Sequence, residues 1–177
     1  MNDKNDIELV ALTAQRDEKA FAELVARYRG RLQRLAYSLL PDHAAADDAV
    51  QETFIRLWTH ARRYNPQHSV STWLYTICCR RCYDEFRRHR RLRAALPLDE
   101  PVVQADAMEA AELAGLLRGI ISGLPHKQRV VYQLREVEGL TAEDTALAAR
   151  QSLDQVKANL WAARNTVREK LKRYGIQ

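Results

Sequence analysis

From Ala20 onward, Phe21, Leu24, Val25, Tyr28, Leu32, Leu35, Ala36 and Leu39 recur at intervals of three and four, the spacing that gathers side chains on one face of a helix. Pro41 ends the run, because it carries no N–H and its ring clashes with the preceding turn. Asp42 is placed to cap a second helix. In it Val50, Phe54, Leu57, Trp58 and Ala61 face a core, while Asp47, Asp48, Gln51, Glu52 and Arg56 line the opposite side. Tyr64, Asn65 and Pro66 break that helix, a short polar loop follows, and Ser69 or Ser71 opens a third helix striped by Trp73, Leu74, Ile77, Cys78 and Cys82. Helical spacing resumes with Leu113, Leu116, Leu117, Ile120, Ile121 and Leu124. Pro125 suits the first turn of the next helix, which carries Val130, Val131, Leu134 and Val137 and meets its stop at Gly139. Thr141 with Asp144, and Ser152 with Gln155, repeat a cap signature, and the last stripe is Val156, Leu160, Ala163, Val167 and Leu171. No β-branched run alternates with period two, so the pattern predicts an all-α chain.

Charge divides the chain. Seven arginines (Arg80, Arg81, Arg87, Arg88, Arg90, Arg91, Arg93) against Asp84 and Glu85 give the third helix a surplus equal to the formal +5 of all 177 residues, so the rest is nearly balanced. Residues 92–112 then turn acidic and hold two prolines. The reading is two small helical domains, residues 1–91 and 113–177, joined by a flexible acidic linker over 92–112. At 46% apolar residues the chain has enough to bury cores, and the acidic, polar MNDKNDIELV start is unlike a secretory signal, so a cytoplasmic protein is expected. Concentrated basic charge points to a polyanion partner, although a basic helix face is also a good solvated surface.

The clustered Cys78, Cys79 and Cys82 include a CxxC, which raises a redox or zinc site. Tetrahedral zinc needs four ligands, and no second CxxC exists. Cys78 and Cys82 lie on the apolar stripe and read as small hydrophobes, with Cys79 the one expected at the surface. No metal, cofactor, catalytic group or small-molecule substrate is expected.

Two short-turn helices ending in a capped, basic helix have the layout of a helix-turn-helix. Asp154, Gln155, Lys157, Ala158 and Asn159 then meet base edges, with Arg150, Arg164 and Arg168 nearer phosphates and Ser152 at the cap. A helical hairpin that merely packs is the other reading of the same pattern.

The order of FAELVARYRGRLQRLAYSLL, DDAVQETFIRLW, STWLYTI with its arginine-rich tail, LPHKQRVVYQLREVEGLTAEDTALA and VKANLWAARNTVREKL resembles a bacterial RNA polymerase sigma factor of the extracytoplasmic-function class, over nearly the whole chain. The resemblance implies a transcription initiation factor, not an enzyme. It implies that the helix around Asp47, Asp48, Gln51, Glu52 and Arg56 docks on core RNA polymerase. It implies that Tyr64, Asn65, Ser71, Thr72, Trp73, Tyr75, Arg80, Arg81, Tyr83, Arg87 and Arg88 serve the minus-ten element and strand opening. It implies that Arg150, Ser152, Gln155, Lys157, Ala158, Asn159, Arg164 and Arg168 serve the minus-thirty-five element. An anti-sigma partner, often membrane-anchored in such systems, is implied too. Arg80 stands where an asparagine usually helps read the minus-ten element, so that base contact is not carried over. Arg150 and Gln151 replace the usual glycine and isoleucine of the turn.

Within the third helix, Tyr75 is expected off the apolar stripe, free to meet an unstacked base, whereas Trp73 belongs to the core. Two rival readings are a free-standing helix-turn-helix regulator, which binds duplex DNA alone, and a small cysteine-dependent redox or metal protein.

Overall fold

The computed structural model describes residues 5–94 and 109–176. All regular structure among them is helical. The order is α1 (Asp6–Ala14), α2 (Glu18–Leu39), α3 (His43–His60), α4 (Val70–Ala94), α5 (Glu109–Ser122), α6 (His126–Tyr132), α7 (Ala142–Ala149) and α8 (Leu153–Arg173). Most of the acidic segment expected as a linker lies outside the described residues.

Helix starts fall where the side chains satisfy free backbone N–H groups. The Asp17 carboxylate accepts from the N–H of Lys19 and Ala20 at 2.9 and 3.0 Å, that of Asp42 from Ala44 at 3.0 Å, and the Ser69 hydroxyl from Thr72 at 3.1 Å. Ser152 and Gln155 complete a reciprocal capping box. Asn5 and Glu8 form another ahead of α1, a nine-residue helix too short for its spacing to announce itself. It matters nonetheless, because it buries Leu9, Val10 and Thr13, and Asp6 at its start accepts from the Tyr28 hydroxyl of α2.

α2 supplies the spine: Leu24, Tyr28, Leu32, Ala36 and Leu39 are buried at three- and four-residue spacing, and α1, α3 and α4 pack around them. Each buried leucine contributes about 2 kcal/mol of transfer free energy. Into this core reach Val130 and Leu134, together with Leu140 and Ala148, from the C-terminal half. That half also keeps two smaller clusters, Ile120, Leu124, Ala163 and Val167 between α5 and α8, and Val131, Val156 and Leu160 beneath α8. The helices on either side of the acidic segment therefore share one core.

α6 does not stop cleanly. It passes into a π turn over Gln133–Val137, closed by the Glu138 N–H donating to the Gln133 carbonyl at 3.0 Å, and Gly139 at φ +73° turns the chain out. The Leu140 N–H then returns to the Leu134 carbonyl at 2.9 Å. Arg150 ends α7 in the left-handed region, φ 53° and ψ 48°, where glycine would sit without strain.

One buried group on α7 gives a direct stability test. Thr145 is fully buried, and its hydroxyl has no hydrogen-bond partner among the described residues. Thr145→Val keeps the shape and removes the unsatisfied oxygen, so it is expected to raise stability by about 1 kcal/mol. Urea denaturation midpoints at constant m check it; a lower midpoint would show the hydroxyl to be satisfied.

Candidate functional site

The outer face of α3 and the neighbouring side of α2 form the first surface. Between them lies a cleft of about 520 Å³ with Phe21, Val25, Val50 and Phe54 as apolar lining and Arg29, Gln33, Asp47 and Gln51 as polar lining. Ile55 stands at this cleft with 54% of its surface exposed. Asp47 is tied down by the Tyr37 hydroxyl at 2.7 Å, whereas Asp48 and Gln51 are exposed. Glu52 is committed elsewhere: it accepts from Arg56 Nε at 3.1 Å and pairs with Arg81 of α4 at 3.2 Å, so it helps join α3 to α4.

The second surface is the loop before α4 and the exposed side of α4. The Tyr64 hydroxyl donates to the His68 carbonyl at 2.6 Å, and the Asn65 side chain accepts from the Gln67 N–H at 3.0 Å, so the loop is held by its own polar groups. Trp73 is half-buried with its ring 5.3 Å from that of Tyr64. Ser71 lies beside the Ser69 cap at 2.8 Å. Arg80, Tyr83, Arg87 and Arg88 are exposed, the Arg87 guanidinium standing 5.8 Å over the Tyr83 ring and Arg88 pairing with Glu85.

Three expectations for α4 are corrected. Tyr75 is fully buried, its hydroxyl donating to Glu138 from the C-terminal half, so it offers no face to an unstacked base. Thr72 is buried too, its hydroxyl 2.8 Å from that of Ser69. Cys79, expected at the surface, is buried with Cys78 and Cys82. The reason is common to Tyr75 and Cys79: the C-terminal helices cover a side of α4 that appears free when the helix is read alone. Burial pushes the Cys79 thiol up, and the contact with Cys78 followed by burial does the same for Cys82, which keeps both protonated and unreactive.

α7 and α8 form the third surface. Arg150, Ser152, Asp154, Lys157, Ala158, Arg164 and Arg168 are exposed. Gln155 spends its side-chain oxygen on the Ser152 N–H at 3.0 Å, and Asn159 donates to Gln151 at 2.6 Å, so both amides are engaged locally. Arg164 pairs with Glu136 at 2.7 Å. Sequence reasoning missed Trp161, which is 69% exposed. The available signal was its position: four residues after Lys157 and off the buried Val156, Leu160, Ala163 stripe, it shares a face with Lys157, Arg164 and Arg168.

The second and third surfaces meet. Arg80 and Tyr83 of α4 face Lys127, Arg150, Gln151 and Gln155 across one pocket of about 310 Å³. His126 stacks on Phe86 there, ring centroids 4.2 Å apart and planes within 11°.

Burial, helped by the Arg129 charge, lowers the His126 pKa from 6.5 to about 4. The unfolded imidazole takes up its proton near 6.5 while the folded one does not, so the unfolded state binds more protons between those values. The stability this burial permits is complete above about pH 6.5 and falls as pH drops towards 4, by about 1–2 kcal/mol once partial exposure is allowed for. His126→Gln should therefore lose less stability than the parent between neutral and mildly acidic pH in paired urea titrations. Equal losses would count against a neutral, buried His126.

Residues 24–92 match the model of sigma-70 region 2. The ECF RNA polymerase sigma factor SigE of Mycolicibacterium smegmatis is 30% identical over 162 residues, 88% of this chain and 63% of that protein. SigW of Bacillus subtilis, also an ECF RNA polymerase sigma factor, is 26% identical over 170 residues, 88% of this chain and 91% of its own. Among solved structures, the sigma factor RpoE in complex with the anti-sigma factor NepR from Bartonella quintana shares the fold at a TM-score of 0.74 and 24% identity. The match covers 87% of this chain and 98% of that one. Residues 24–92 thus carry sigma-70 region 2, and over most of its length the chain is similar to RNA polymerase sigma factors of the extracytoplasmic-function class, which are transcription initiation factors. Among the described residues no helix is long and apolar enough to cross a membrane.

Proposed function

We propose that the chain binds core RNA polymerase through α3 and the α2–α3 cleft and directs it to promoters. In this reading α4 serves the minus-ten element and strand opening, and α7–α8 act as the helix-turn-helix for the minus-thirty-five element. Its two functional domains are residues 1–91 and 113–177. The observation that carries the reading is the segregation of surfaces: Asp48, Gln51 and the apolar rim at Ile55 lie on α3, while the arginines and Tyr83 lie on α4. Exposed apolar area with a few polar groups suits a protein partner, and arginine with aromatic faces suits nucleic acid.

Arg80, Arg87 and Arg88 then hold phosphates, and Arg81 reaches DNA only if it leaves Glu52. Tyr83, with Tyr64 and Trp73 at the loop, takes over the stacking role once given to Tyr75. An anti-sigma factor of the kind seen with RpoE would compete for the α2–α3 cleft. Cytoplasmic location follows from such partners.

Footprinting tests the reading. Core polymerase with this protein should protect discrete sites on fragmented genomic DNA that neither component protects alone. Strong, site-specific protection by the free protein would favour the rival, a free-standing regulator.

A further inference from the structure

We propose that the hollow between α4 and the α7–α8 turn binds a small organic phosphate of nucleotide size, its ring on an apolar floor and its phosphate among Arg80, Lys127 and Arg150. The inference stands apart from the promoter reading, because it needs neither polymerase nor DNA. The pocket measures about 310 Å³. Ligand sites run from roughly 300 to 1,000 Å³, so its size suits a mononucleotide better than a larger ligand.

The charge distribution selects an anion. Arg80 of α4, Lys127 of α6 and Arg150 at the end of α7 all line the pocket, and none of the described side chains that line it is acidic. All three residues are exposed, so a ligand from solvent reaches them. None of their charged groups has an ion-pair or hydrogen-bond partner among the described residues. Neighbouring arginines are placed differently: Arg81 pairs with Glu52 at 3.2 Å, Arg88 with Glu85, and Arg164 with Glu136 at 2.7 Å. Cations left unneutralised around one small hollow repel each other, and a phosphate relieves that repulsion while accepting hydrogen bonds from each of them.

Arg150 adds a second observation. Its backbone is left-handed, at φ 53° and ψ 48°, a conformation that strains any residue with a Cβ and costs glycine nothing. The chain nevertheless places an arginine there, and the turn sets it on the pocket wall. Gln155 commits only its side-chain oxygen, to the Ser152 N–H at 3.0 Å, which leaves its amide N–H groups to donate to a ligand.

The remaining lining is apolar. Cys79, Val130 and Ala148 are buried and make the floor, and the exposed ring of Tyr83 makes part of the wall. Inorganic phosphate would leave that floor in water, whereas a planar ring covers it and stacks against an aromatic side chain. Floor and cations together therefore favour an anion that carries a ring over either part alone.

The test is isothermal titration calorimetry of the full chain, without polymerase or DNA. The probes are the four ribonucleoside 5′-monophosphates, inorganic phosphate and the corresponding nucleosides. At least one monophosphate should bind at a single site, about tenfold or more tighter than inorganic phosphate or its own nucleoside, and should raise the midpoint of thermal unfolding. Arg150→Gly removes the cation and the backbone strain together, so it should keep its thermal stability while losing about tenfold or more in affinity. Lys127→Ala should lose a similar factor. Arg34→Ala, which removes an exposed arginine of α2 outside the pocket, should bind as the parent does. No saturable binding by any of the monophosphates, or an equal loss in Arg34→Ala, would overturn the site. Inorganic phosphate binding as tightly as the nucleotides would overturn the part given to the apolar floor, and with it a ligand of nucleotide size. Footprints with core polymerase test the promoter reading separately.

Discussion

Asp48→Arg combined with Gln51→Arg should weaken association with core polymerase on the order of a hundredfold, with little change in the stability of the free chain. Both side chains are exposed on α3, and neither takes part in an ion pair among the described residues, so folding does not depend on their charge. At an interface the same reversal places two cations where an acidic and an amide side chain should meet the partner, and truncating or reversing charges at such contacts costs about 2–5 kcal/mol. Glu52 is the less informative site although it lies on the same face. Its pairing with Arg81 joins α3 to α4, so Glu52→Arg would disturb the fold as well as the surface. Surface plasmon resonance with immobilised core polymerase, beside thermal unfolding of the free variant, separates the two effects. Undiminished association would show that this helix face is not the docking surface.

Trp161→Ala should lower promoter affinity of the polymerase complex about tenfold or more, the loss typical of an aromatic anchor at an interface. A 69% exposed tryptophan beside Lys157, Arg164 and Arg168 leaves a large apolar face in water without serving the core, which is built from Val156, Leu160 and Ala163 on the other side of α8. Lys157→Ala should act differently, weakening binding to all sequences and reducing the salt slope by about 1 if it meets a phosphate. Quantitative binding at several salt concentrations distinguishes them. If Trp161→Ala left binding unchanged at every salt concentration, the exposed face of α8 would not be the DNA face.

Much of the fold was readable because local signals agreed. The spacing of Leu24, Tyr28, Leu32, Leu35 and Leu39, the stop at Pro41 and the caps at Asp42, Thr141 and Ser152 each mark an element that the structure contains. α1 escaped notice because nine residues give little more than two turns of periodicity, and its signal was the Asn5–Glu8 capping box. Tyr75 and Cys79 were misplaced for a different reason. Helical spacing says which residues share a face, but it does not say how many neighbours a helix has. α4 is covered on one side by α2 and α3 and on another by α7, so residues off its main stripe are also buried. Glu138 shows the same limit from the partner's side: it reads as one acid in REVEGL, yet its side chain is among the most buried charges described. Exposure of Trp161 was legible in principle from its offset against the α8 stripe.

Run-off transcription on fragmented genomic DNA of the source organism tests the central claim most directly. With core polymerase and this protein, discrete transcripts should start from a subset of fragments that core polymerase alone ignores, and the Asp48→Arg, Gln51→Arg double variant should lose them. Identical transcript patterns with and without the protein across a range of salt concentrations would contradict the account.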